Sequence, residues 1–227
     1  MGPVSMAQSS MAQSSMAQGS MAQGSMAQSS MAQSEMAQGS MGQRDFGVAF
    51  GLPEPVTSEL QGWRERLGDP NASGIPPHVT LLPPTALSEG ALHDVEEHLR
   101  LVAAAERPFE MQLHGSGTFR PVSPVVFVSL VRGASDCERV QAKVRSGPLA
   151  KALSFPYHPH VTVAHDLPEP TLDEALEALA SYDATFTVWG FTLSEQDPQG
   201  IWRPQRDFPF GAAGLPGPLE PYGHRVP

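Results

Sequence analysis

From Phe46 onward, short apolar runs alternate with stretches of helical periodicity. The run 46–52 (Phe-Gly-Val-Ala-Phe-Gly-Leu) has strand length. Leu60, Trp63 and Leu67 recur at helical spacing and predict a helix over 53–67, followed by turn chemistry at Asp69-Pro70-Asn71. A second strand is predicted over 78–82, closed by Pro83-Pro84. Leu92, Val95, Leu99 and Val102 form one stripe of a helix capped by Ser88. Strands are predicted over 109–119 and 125–131, then a helix from Ser135 to about residue 153. A strand over 160–164 leads to a helix over 171–182 that turns Leu172, Ala175, Leu176 and Leu179 inward. Strands over 185–193 and 201–208, with a turn at Asp197-Pro198-Gln199-Gly200, complete the pattern. The order β-α-β-α-β-β-α-β-α-β-β divides into two similar halves. Each half has a His-x-Thr strand, then a helix, then a pair of strands. An α+β protein with two pseudo-symmetric lobes is the architecture expected.

The ends follow different rules. Over 1–45, Met recurs at positions 6, 11, 16, 21, 26, 31, 36 and 41, mostly as Met-Ala-Gln-Ser/Gly-Ser. A period of five suits neither a strand nor a heptad. With so little to bury, this repeat is expected to be disordered rather than part of a core. Residues 211–227 are rich in Gly and Pro and are expected to form a flexible tail. The folded domain is therefore placed at 46–210.

Net charge is −10, from 14 basic and 24 acidic residues. That balance argues against tracking along duplex nucleic acid, which demands a basic footprint. It still allows a small phosphorylated substrate or a nucleic-acid end held locally. No apolar run approaches the roughly 18 residues that span a bilayer, and no secretory signal pattern opens the chain. Cys137 is the only cysteine, so no intrachain disulfide can form, and a cytoplasmic protein is expected.

The candidate chemistry lies in a duplicated motif. Pro-Pro-His78-Val-Thr80-Leu-Leu and His-Pro-His160-Val-Thr162-Val-Ala both place His and Thr two residues apart at the start of an apolar run. On a strand, residues i and i+2 share a face, so each His-Thr pair points together while Val79 and Val161 point into packing. If the lobes bring these strands together, two imidazoles and two hydroxyls converge. Imidazoles titrate near neutrality, so one can accept a proton while the other donates. Hydroxyls can donate to charged phosphate oxygens. This division of labour calls for no metal and no cofactor. A zinc site built from His158, His160, His165 and Asp166 is a weaker alternative, because Pro159 breaks the alternation and no cysteine accompanies them. Cys137 and the histidines at 93, 98 and 114 have no partner motif and read as incidental or structural.

The His78-Val-Thr-Leu and His160-Val-Thr-Val motifs resemble the signature of the 2H phosphoesterase superfamily. The segments Gly115-Ser-Gly-Thr-Phe-Arg120, 155–165 and Ile201-Trp-Arg203 resemble more closely its bacterial 2′-5′ RNA ligase branch. The resemblance covers roughly 46–210. It implies a bilobal fold of antiparallel sheet with helices packed outside and a central cleft. It also implies activity on 2′,3′-cyclic phosphate ends of RNA or on related cyclic nucleotides, giving a 2′-phosphate, with 2′-5′ ligation in some members. By motif, His78 would protonate the leaving oxygen, His160 would take a proton from water, and Thr80 and Thr162 would hold the phosphate. Phe119, Tyr157 and Trp202 are candidates to stack on a base, or else to pack in the core. Arg120 and Arg203 are candidates to meet phosphate, or else to form surface ion pairs. The expected partner is an RNA end or a small cyclic-phosphate nucleotide, bound by a monomer. A non-catalytic nucleotide-binding module of the same fold, or a repeat that serves as an interaction tail, are the competing functions.

Overall fold

The computed structural model describes residues 43–152 and 155–211. The repeat up to residue 42 and the tail from 212 lie outside the described residues, so the expectations for them stay as stated. Gln43, Arg44 and Asp45, grouped above with the repeat, already belong to the first strand.

Among the described residues, eight strands and four α-helices make up the fold. The strands are β1 (Gln43–Gly51), β2 (His78–Ser88), β3 (Phe109–Thr118), β4 (Val125–Arg132), β5 (His160–His165), β6 (Asp183–Val188), β7 (Gly190–Gln196) and β8 (Trp202–Pro209). The helices are α1 (Val56–Leu67), α2 (Glu89–Ala104), α3 (Ala134–Val144) and α4 (Glu169–Ala178). The strands form one sheet in the order β6-β3-β4-β5-β2-β1-β7-β8. Among the described residues no helix is long and apolar enough to cross a membrane.

The α+β, two-lobed expectation holds, but the lobes are not the two halves of the sequence. One lobe is β2-β1-β7-β8 and the other is β5-β4-β3-β6. The β3-β4 pair, expected to accompany β2, instead pairs β4 with β5 and β3 with β6. The second lobe is thus one continuous stretch inserted between the two parts of the first. The run 185–193, expected as one strand, breaks at Trp189. β6 is an edge strand beside β3, and β7 lies near the opposite edge beside β1. Gly190 permits the crossing. A β-carbon there would stand 2.4 Å from the Phe208 carbonyl oxygen.

Three other boundaries differ for local reasons. β2 runs on through the exposed Pro83-Pro84, because fixed φ suits an extended chain and exposed prolines leave no buried donor missing. α3 stops at Val144, not near residue 153: Gly147 takes a left-handed φ of 56° and Pro148 follows in a 3-10 turn. α4 begins at Glu169, with Pro170 in its first turn where the missing N–H costs nothing. At α2, Ser88 holds the N-cap position but makes no side-chain cap hydrogen bond.

One core joins both lobes. Val79, Leu81, Val161 and Val163 are buried on one face of the central strands. Leu60 of α1, Leu99 of α2, Val140 of α3 and Leu172 of α4 belong to the same buried cluster. Each such side chain contributes about 1.5–3 kcal/mol by leaving water. Phe50 of β1 meets Phe109 of β3 edge to face, with centroids 5.7 Å apart, and Phe210 stacks on Phe109 at 6.2 Å. This aromatic contact seals the seam between lobes.

Replacing Gly190 with Ala drives a methyl into a backbone carbonyl that is paired in the β7–β8 ladder. Urea unfolding should show a loss of about 1–3 kcal/mol, typical of overpacking. An unchanged midpoint would contradict this account of the crossing.

Candidate active site

The site is built at the centre of the sheet. β2 and β5 pair antiparallel with Val79 opposite Val161. That register sets His78 across from Thr162 and Thr80 across from His160, with all four on the face opposite the buried valines. Facing β-carbons in such a pair stand about 4.5–5.5 Å apart, and the diagonal neighbours His78 and His160 about 7–8 Å apart or somewhat less. β4 extends the rows: Phe127 pairs with Thr162, and Ser129 with His160.

The sequence also orients each ring. Pro77 and Pro159 precede the two histidines and are both buried. A residue before proline is held extended. In each motif the carbonyl two residues before the histidine accepts a hydrogen bond from Nδ1. Pro76 serves His78 at 2.8 Å, and His158 serves His160 at 2.7 Å. A carbonyl can only accept, so Nδ1 carries the proton in both rings. Nε2 is left to take or give one. Burial lowers the pKa of both imidazoles from 6.5; the Arg64 cation and His160 add to the effect at His78, and His158 adds to it at His160. Both rings are therefore neutral at neutral pH in the free protein.

Three adjoining cavities surround this quartet. A slot of about 570 Å³ runs past His78 and Thr80, with Gly47, Ala49, Thr192, Ser194 and Trp202 in its walls. A more polar cavity of about 910 Å³ is lined by His78, Thr162, Arg64, Asn71, His165 and Gln196. A groove of about 1240 Å³ lies on the other side, along Thr80, His160, Phe119, Tyr157 and His158.

The candidate binding residues divide in two. Trp202 lines the first two cavities and lies over Gly47, where a β-carbon would meet the indole at 3.0 Å. Phe119 lines the groove and stands edge-on to His160, with centroids 5.0 Å apart at 86°. Tyr157 also lines the groove, but its hydroxyl donates to the Thr80 carbonyl at 2.9 Å, tying the loop before one motif to the strand of the other. Arg120 and Arg203 line none of these cavities. Arg120 pairs with Glu169 at 2.5 Å and Asp173 at 2.8 Å, and Arg203 with Asp197 at 3.0 Å. Both arginines are thus ion-paired in the ligand-free protein.

His158 and His165 line different cavities, and among the described residues no group of three or more His, Cys, Asp or Glu side chains is disposed to hold a metal ion. Cys137 is buried, and desolvation pushes its thiol up to about 12. His98 hydrogen-bonds the last carbonyls of α3, and His114 pairs with Asp183.

Sequence reasoning missed Phe127, Ser129 and Arg64. Strict alternation along 125–131 would have put Phe127 and Ser129 on one face. Arg64 stands between Leu60 and Leu67 on the apolar stripe of α1, where a charge calls for a partner.

The family model of the 2′-5′ RNA ligase superfamily matches residues 52–200, both His-x-Thr strands included. The chain belongs to the 2′-5′ RNA ligase superfamily. Relatives within this 2H phosphoesterase group include a candidate phosphoesterase of Bacillus licheniformis, 28% identical over 169 residues that cover 74% of this chain and 99% of that one. A candidate phosphoesterase of Halalkalibacterium halodurans is 30% identical over 135 residues, 60% of this chain and 78% of that one. The fold of the superfamily member described here matches the crystal structure of TT0787 of Thermus thermophilus with a TM-score of 0.54, at 24% identity, over 74% of this chain and 100% of that one. It matches E. coli LigT in its apo form with a TM-score of 0.54, at 22% identity, over 75% and 99%. LigT has also been crystallised with 3′-AMP, NADP+, ATP and phosphate.

Imidazole NMR should find both rings in the Nδ1–H tautomer, each titrating below 6.5. Bound inorganic phosphate, an anion, should raise at least one of these values. A titration at or above 6.5 for both rings without phosphate would contradict the electrostatic account.

Proposed function

We propose that this protein hydrolyses the 2′,3′-cyclic phosphate at RNA ends or on small nucleotides to a 2′-phosphate, without a metal, as a cytoplasmic monomer. The observation that carries this reading is the Val79–Val161 register, with two imidazoles and two hydroxyls on one face. His160 Nε2 takes a proton from water as its oxygen attacks phosphorus. The bond from phosphorus to O3′ breaks, and His78 Nε2 gives a proton to the departing O3′. The hydroxyls of Thr80 and Thr162 donate to the non-bridging oxygens. With the 5′-hydroxyl of a second RNA in place of water, the same transfers yield a 2′-5′ linkage. The neutral resting state of both rings fits the base. The acid needs a proton at His78, and the substrate's own negative charge favours it there. The nucleotide and phosphate complexes of LigT support a small nucleotide as ligand.

The test is an RNA ending in 2′,3′-cyclic phosphate, incubated with the protein in excess EDTA. A 2′-phosphate product should accumulate. His78→Ala and His160→Ala should each lower kcat by roughly 10²- to 10⁴-fold while the fold is retained. The profile of kcat/KM against pH should be bell-shaped and centred on the acid side of 6.5, since both free-enzyme pKa values are lowered. Tight binding without turnover would favour a nucleotide-binding module instead. Activity abolished by EDTA would reject the metal-free mechanism.

A further inference from the structure

Arg64 lies on the inward face of α1 and is 4% exposed. Its Nε donates to Asp69 Oδ2 at 2.8 Å, and its Nη1 donates to the Ile75 carbonyl. Gly68, at a left-handed φ of 77°, turns the chain so that Asp69 comes back to the end of α1. The backbone N–H of Asp69 then donates to the Arg64 carbonyl at 3.0 Å. Asp69 Oδ1 accepts the backbone N–H of Asn71 at 2.9 Å. One guanidinium therefore grips both ends of the loop 69–75. A buried ion pair gives little net stability over apolar packing, so its consequence is to be sought in what it holds.

Directly after Ile75 come Pro76, whose carbonyl orients His78, and Pro77. Two successive prolines fix two φ angles. A shift of the Ile75 carbonyl is therefore passed on to Pro76 and the His78 ring rather than absorbed between them. Arg64 and His78 also line the same cavity. The loop before His160 is held by different contacts: Arg145 Nη2 donates to the Lys151 carbonyl at 2.8 Å, but among the described residues no arginine contact is made to a residue directly ahead of the proline as at Ile75. The acceptor carbonyl of His160 lies on the segment tied down by Tyr157.

We propose that Arg64 is a positioning residue for the reaction: by holding Asp69 and the Ile75 carbonyl together, it fixes the loop whose Pro76 carbonyl sets the ring of His78. This rests on the reading of His78 as a proton-transfer group. The charged and titratable groups around His78 are Arg64 from α1, Asp69 from the loop, and His160 and His165 from β5.

Three variants test it: Arg64→Met, Arg64→Lys, and Arg64→Met combined with Asp69→Leu, which leaves no unpaired buried charge. Arg64→Lys keeps a cation beside Asp69, but a single ammonium lacks the fork that also reaches Ile75. On cyclic-phosphate-ended RNA, kcat should fall on the order of a hundredfold in both Met variants, and about tenfold or more in Arg64→Lys, with KM within about threefold of the parent. In the Arg64→Met/Asp69→Leu protein, NMR should show the His78 Nδ1–H resonance lost while that of His160 persists. Parental kcat in Arg64→Lys, or a His78 resonance retained in the double variant, would overturn the proposal. Should the double variant fail to fold, Arg64→Lys decides by both readouts. If the parent protein turns over no cyclic phosphate, the proposed reaction fails, and the resonance alone decides whether Arg64 orients His78.

Discussion

The site depends on the pairing of β2 with β5 at the centre of the sheet. Val79 and Val161 are fully buried and stand opposite each other. Their burial decides which face the histidines take. A slip of one residue in either strand would turn its valine to solvent and its His-Thr pair into the core. The hydrophobic effect, acting on residues that take no part in proton transfer, thus holds the catalytic candidates in place. Because β2 and β5 come from different lobes, the same contact joins the lobes and assembles the cleft between their motifs.

A second constraint works within each motif. Proline before the histidine holds the backbone extended, and the carbonyl ahead of it takes the Nδ1 proton. The ring is oriented by its own chain, and Nε2 is the nitrogen left to act. The two rings then differ through their surroundings. His78 borders the cavities with Trp202 and Arg64. His160 faces the groove and is flanked by Phe119 and Phe127. Local symmetry set in unequal environments is a physical basis for unequal roles.

The chain is acidic overall, and much of the positive charge near the cleft is already paired. Arg120 is held by two carboxylates, Arg203 by Asp197 and Arg64 by Asp69. What the cleft offers to a phosphate is the hydroxyls of Thr80 and Thr162, with Arg145 lining the groove along His160. The acidic balance, 14 basic against 24 acidic residues, disfavours a long polyanion, which binds through many free cations.

Local pattern made much of this legible. The i, i+2 spacing of His and Thr with an apolar residue between is a property of the strand itself, so the four central residues could be read from the sequence alone. Most helices could be read too, because their apolar stripes repeat within a few turns. Partnership was not legible. The sequence suggests that β3-β4 follows β2, but the structure pairs it with β5 and β6. It also breaks 185–193 into strands near opposite edges of the sheet, because Gly190 lets the chain cross where any side chain would meet a carbonyl. Whether Arg120 or Arg64 would stand by the cleft likewise depended on which carboxylates the folded chain brought near. The sequence by itself determined which residues share a face, since that follows from backbone geometry over two or three positions. Only the tertiary structure decided which faces meet, since that follows from the burial of residues far apart in the chain.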